Sequence, residues 1–148
     1  MNSSNTATLS QADIAAAIRA GIDERNRRAQ QAAHEAAELV RRKVEEAPQR
    51  AADILAGIPA AIAQAVAESD DTPRTVNVMW VDTLEYDGNV VQPLGLGYRG
   101  GWSGEPERLK LAAKTVWEAL APLGVELRYQ NRGGIYRIGR LGIFLRLS

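Results

Sequence analysis

The sequence predicts an α+β protein: a long N-terminal helical segment of helix–kink–helix form, followed by a small antiparallel sheet with one packed helix. Two observations carry this. No aromatic residue precedes Trp80, and most of the glycines lie beyond residue 75. Residues 1–74 are rich in Ala, Arg, Gln and Glu, all good helix formers. Large side chains are needed to fill a core, so the second half can build one and the first half cannot easily do so alone. The expected organisation is a disordered N-terminus over 1–9, a helical oligomerisation or docking segment over 10–68, a linker over 69–74 and a small α+β domain over 75–148.

Ser10 and Asp13 have the spacing of a capping box, with Asp in place of the usual Glu or Gln. From Gln11 to Glu46 there is no proline and a single glycine, Gly21. Ile14, Ile18, Ile22, Ala29, Ala33, Ala36, Val40, Val44 and Ala47 recur every three or four residues, which is one face of a helix. Pro48 is expected to end or kink this helix. A second helical stretch follows over about 49–68, striped by Ile54, Leu55, Ile58, Ile62 and Val66 and bent near Gly57 and Pro59. Two arrangements compete: the two segments fold back as a hairpin, or they associate between chains through Ile14, Ile18, Ile22, Val40 and Val44. The second is preferred, although the irregular spacing does not support a long regular coiled coil.

"TVNVMWV" at 75–81 reads as a strand with Val76, Val78 and Trp80 on one face. Asp87-Gly88 marks a hairpin turn between 84–86 and 89–91. A helix over 105–121 follows, with Pro106 in its first turn and Leu109, Ala112, Ala113, Val116 and Leu120 as its buried stripe. Pro122 and Gly124 stop it. "VELRYQ" alternates as a strand, and "IYRIG" and "GIFLRL" read as two more strands joined around Arg140 and Leu141.

Composition bounds the function. Eighteen basic residues balance eighteen acidic ones, so bulk charge selects no polyanionic partner. There is no cysteine, which excludes disulfides and thiolate metal sites. No apolar run approaches the roughly 20 residues of a membrane span, and the N-terminus lacks the basic and apolar regions of a signal peptide. The expectation is a cytoplasmic protein, or one incorporated into an assembled particle, with no membrane partner.

Gly95, Gly97 and Gly100 match G-x-G-x-x-G. A dinucleotide loop needs a buried strand before it and a helix beginning inside it. Here Pro93 precedes the motif and the helix begins too late, so the glycines read as a flexible joint. Tyr98, Arg99 and Trp102 make that joint a candidate partner contact. Asp82, Glu85 and Asp87 cluster beside the expected hairpin without a calcium-loop pattern and read as a solvated turn. The single histidine, His34, reads as an exposed helix residue, so no nucleophilic triad can be assembled. No cofactor, metal or enzymatic chemistry is expected.

After Glu126 come Arg128, Arg132, Arg137, Arg140 and Arg146, with no acid among them and with Tyr129 and Tyr136 interleaved. Such a β-hairpin can meet a protein partner or a phosphate backbone. Residues 75–148 hold nine basic and seven acidic side chains, a net of +2, and dedicated nucleic-acid domains are more basic. The sequence therefore points to a non-enzymatic interaction or assembly protein. It self-associates or docks through its helices and meets a protein partner through Tyr98, Arg99, Trp102, Arg128, Arg132, Tyr136, Arg137 and Arg140. Such an architecture suits a structural component of a larger assembly, viral or phage particles included. A nucleic-acid binder using the arginine hairpin is the alternative.

Overall fold

Helix α1 runs unbroken from Gln11 to Ala67 in a computed structural model that describes residues 8–93, 102–131 and 138–147. The capping box forms as its spacing requires: the Asp13 amide donates to Ser10 Oγ and the Ser10 amide to Asp13 Oδ2, both at 3.1 Å. The expected break at Pro48 and bend at Gly57–Pro59 do not divide α1, because both prolines lie inside one helix. Both prolines are exposed, and good helix formers surround them.

The chain forms two units, residues 1–41 and 42–148, and the division falls inside α1. In the first unit every described residue is exposed except Glu24 and Glu38, which are half-buried. In the second unit Ala47, Ala51 and Ile58 of α1 belong to the core, and Ile54, Leu55, Ala61, Ile62 and Ala65 pack against it.

Four strands form one antiparallel sheet: β1 (Thr75–Trp80), β2 (Val91–Pro93), β3 (Val125–Asn131) and β4 (Ile138–Arg146). Strand β4 is central. Along one edge it pairs with β3 over 139–145, and along the other it pairs with β1 over 142–146 and β2 over 138–140. It is one strand, not two joined at Arg140–Leu141. Alternation passes through that point without a turn: Leu141, Ile143 and Leu145 are buried in the core, while Arg140, Gly142, Phe144 and Arg146 point the other way.

Three other expectations are corrected. A bulge between Asn77 and Met79 shifts the register of β1, so Val76, Met79 and Val81 are buried and Trp80 turns to the opposite face. Residues 83–85 form a 3-10 turn instead of a strand, and β2 pairs with β4 instead of with 84–86. Helix α2 spans Leu111–Leu120 and begins later than residue 105. Leu109 bridges Tyr86, the Lys110 amide donates to the Glu85 carbonyl and the Asp87 amide to that of Arg108. These bonds hold Leu109 and Lys110 extended after a 3-10 turn over Pro106–Arg108, so Leu109 is buried by a bridge and not by an α-helix face. Ala112, Ala113, Val116 and Leu120 form the expected buried stripe.

Candidate interaction surfaces

The first surface is the bare stretch of α1. Ile14, Ile18 and Ile22 are 39%, 58% and 41% exposed, and Val40 and Val44 are as open. Leu39, on the flank of the stripe and absent from the expected contact set, is also exposed. Several charges beside the stripe pair within the helix. Glu24 meets Arg27 at 2.7 Å and Arg28 at 2.9 Å, and Glu38 meets Arg41 at 2.6 Å. The first pair draws the Glu24 carboxyl below its ordinary value, through hydrogen bonds from Arg27 and then Arg28. His34 is exposed, as expected.

The acidic cluster is a docking point for α1 and not a solvated turn. Glu85 is 2% exposed and accepts two 3.0 Å hydrogen bonds from Arg50, a fork-to-fork ion pair. The Asp82 amide also donates to Glu85 Oε1 at 3.0 Å. Lys43 meets Asp82 at 2.8 Å, and that contact above all holds the Asp82 carboxyl down at about 2. Arg50 is held more firmly charged than usual, chiefly by its hydrogen bonds to Glu85. Asp82 and Glu85 pair with α1 and not with the C-terminal arginines, while Asp87 stays exposed as expected and meets Lys110 at 3.9 Å. The sequence hides the link because Arg50 and Glu85 stand 35 residues apart.

The sheet's second face lies away from the core. Cross-strand partners share a face, which sets Thr75, Asn77 and Trp80 of β1 and Glu126, Arg128 and Gln130 of β3 beside Arg140, Gly142, Phe144 and Arg146. Trp80 meets Phe144 edge-on at 6.0 Å between centroids. The Arg128 guanidinium stacks 4.1 Å over Phe144, and Arg140 lies 5.8 Å over Trp80. Gly142 is required here: a Cβ would stand 2.8 Å from Asn77 Nδ2 and 3.0 Å from the Trp80 ring. Arg128 also donates to Glu126 at 3.0 Å and to Thr75 at 3.1 Å, and Arg146 reaches Glu126 at 3.5 Å. One carboxylate therefore serves two of the arginines that looked available to a phosphate backbone.

Of the expected contact residues, Arg128 and Arg140 share this face. Trp102 is not part of it: its carbonyl accepts from the Tyr129 amide at 2.8 Å, beside the edge of β3. Its ring is about half exposed. Tyr98, Arg99, Arg132, Tyr136 and Arg137 lie outside the described residues, as does the glycine motif at 95–100. Phe144 and Arg50 were not anticipated, while the sequence reads Trp80 as a strand residue beside Val76 and Glu85 as part of a solvated turn. The alternating run 140–146 carried the signal for Phe144, because a central strand needs cover on both faces.

Among the described residues no group of three or more His, Asp or Glu side chains converges as a metal site would. One helix, α1, is long enough and over one window apolar enough, with mean hydropathy 1.2, to cross a membrane by length and composition. This modifies the reading that no stretch comes near a span. Compared with known proteins, the chain matches no family model, no curated protein and no solved structure.

Proposed function

We propose that this is a non-enzymatic interaction and assembly protein that self-associates through residues 14–44 of α1. The bare apolar stripe of Ile14, Ile18, Ile22, Val40 and Val44 is the observation that carries the reading. Exposed apolar residues in such a row favour association. A second copy is the occupant that fits. Glu24 is matched by Arg27 and Arg28, and Glu38 by Arg41, within the helix, so these side chains call for no partner of either charge. At 1.5 Å per residue the stripe runs about 46 Å. A strip about 12 Å wide on each of two copies removes roughly 1,100 Å² from water, just above the roughly 1,000 Å² of a specific interface. The alanines at 29, 33 and 36 permit close approach but bury little each, so the association is reversible and depends on concentration.

In this reading the α+β unit carries the contacts to a protein partner, with Trp102, Arg128 and Arg140 among the described contributors. The protein acts in the cytoplasm or within an assembled particle, as a structural component of the kind viral and phage assemblies use. Sedimentation equilibrium on the intact chain tests it. The expected result is a mass that rises with concentration and falls to the monomer in Ile18→Asp with helicity retained. A monomer at every concentration contradicts it.

A second reading rests on Arg140 over Trp80, an arginine–aromatic pair on the sheet's second face, which suits a single-stranded nucleic acid. It expects salt-dependent binding that Arg140→Ala weakens. Affinity unchanged by that substitution removes it.

A further inference from the structure

A cleft of about 320 Å³ is bounded by the Gly88–Asn89 turn, β2, the end of β3 and the 102–108 segment. Self-association through α1 makes no use of it. Tyr86, Gln92, Trp102, Glu105, Arg108 and Tyr129 supply its chemistry. The two tyrosines are 6% and 5% exposed, with their rings in the core. Their hydroxyls are tied to the cleft's walls: Tyr86 Oη accepts from the Glu105 amide at 3.0 Å, and Tyr129 Oη donates to the Asn89 carbonyl. Burial above all raises the Tyr129 hydroxyl's pKa and keeps it a neutral donor and acceptor. Arg108 pairs with Glu105 and donates to the Asp87 carbonyl at 3.3 Å, which fixes a guanidinium and a carboxylate side by side. Gly88 opens this wall: a Cβ there would stand 2.9 Å from the Tyr86 ring.

These groups select a ligand class by chemistry. Arg108 and Glu105 neutralise one another, so a simple anion or cation gains little. The lining is polar, so an apolar ligand loses water without replacement hydrogen bonds. A hydroxyl both donates and accepts, and adjacent hydroxyls suit adjacent donors and acceptors. Arg108 beside Glu105 is one such pair, and the Gln92 amide, which already hydrogen-bonds the Tyr129 hydroxyl, adds its remaining groups. Trp102, about half exposed, offers an apolar face on the same cleft.

We propose that this cleft binds a saccharide, with a pyranose face on Trp102 and its hydroxyls on Gln92, Arg108, Glu105 and the Tyr86 hydroxyl. The test is an NMR titration of the intact protein with the methyl glycosides of glucose, galactose, mannose and N-acetylglucosamine, with adenosine alongside. The expected result is a saturable shift of the Trp102 indole N–H and the Gln92 side-chain amide with at least one sugar. Trp102→Ala and, separately, Gln92→Leu should each weaken binding about tenfold, while the core resonances stay in place. Three results overturn it: no saturable shift with any of the four sugars, binding that survives both substitutions, or a response to adenosine alone. None of them bears on self-association through α1, which is read from mass.

Discussion

Helix α1 carries one apolar stripe through two environments. From Ile14 to Val44 the stripe is open, while from Ala47 to Ile62 the same three-and-four spacing is buried or packed on a core. Propensity and period do not separate the two stretches. The difference lies in what the second stretch meets: an α+β unit with Val76, Leu141 and Ile143 in its core, and a buried carboxylate placed to receive Arg50. A helical period states which face seeks cover and does not state who covers it.

Several substitutions break or sharpen this contrast. Glu85→Ala leaves Arg50 without its partner in a partly buried site and should cost about 3 kcal/mol of stability, read by urea denaturation. Ile58→Ala should cost about 2 kcal/mol through the cavity it leaves. Ile18→Ala, in the same stripe but uncovered, should leave the stability of the dilute protein unchanged and weaken self-association. Equal losses at Ile58 and Ile18 would erase the distinction between the stretches.

The prolines give a smaller effect of opposite sign. Pro48 and Pro59 each interrupt the hydrogen-bonding of an otherwise continuous helix at an exposed position. Replacing either with alanine should stabilise the protein by about 1–2 kcal/mol, less than the full helix-propensity difference because the unfolded chain also gains freedom. A loss of stability would mean that the proline shapes the docked stretch.

Asp82 sets a pH dependence. Its carboxyl lies at about 2, below the ordinary 3.8, because Lys43 holds it ionised. The unfolded chain binds the proton more readily, so this contribution is complete above about pH 4 and is lost as pH falls through 2. Asp82→Asn should remove that part of the acid sensitivity and leave the rest. The smallest effect belongs to Glu24→Ala in the bare stretch, where loss of exposed pairs with Arg27 and Arg28 should leave the urea midpoint essentially unchanged.

The α+β class, the capping box at Ser10 and Asp13, the face of α1 and the stripe of α2 were legible because each is a local pattern of spacing and side-chain type. The continuation of α1 through Pro48 was not, because a proline's local cost was outweighed by the helix formers on either side and by burial of Ala47 and Ala51. The bulge in β1 was not, because one inserted residue changes the register without disturbing composition. The pairing of Arg50 with Glu85 joins distant segments, and neither residue announces it. Trp102 was singled out as a loop aromatic, but its neighbours in the cleft come from β2, β3 and two turns that only the fold brings together.

The most direct measurement is amide hydrogen exchange on the intact protein at low and at high concentration, read separately over 14–44 and 47–62. Protection over 47–62 is expected at both concentrations, because that stretch is covered within the chain. Protection over 14–44 is expected to be weak when dilute and to rise on concentration, as a second copy covers it. Exchange over 14–44 that is indifferent to concentration would contradict self-association, and an unprotected 47–62 would contradict the docking of α1 itself.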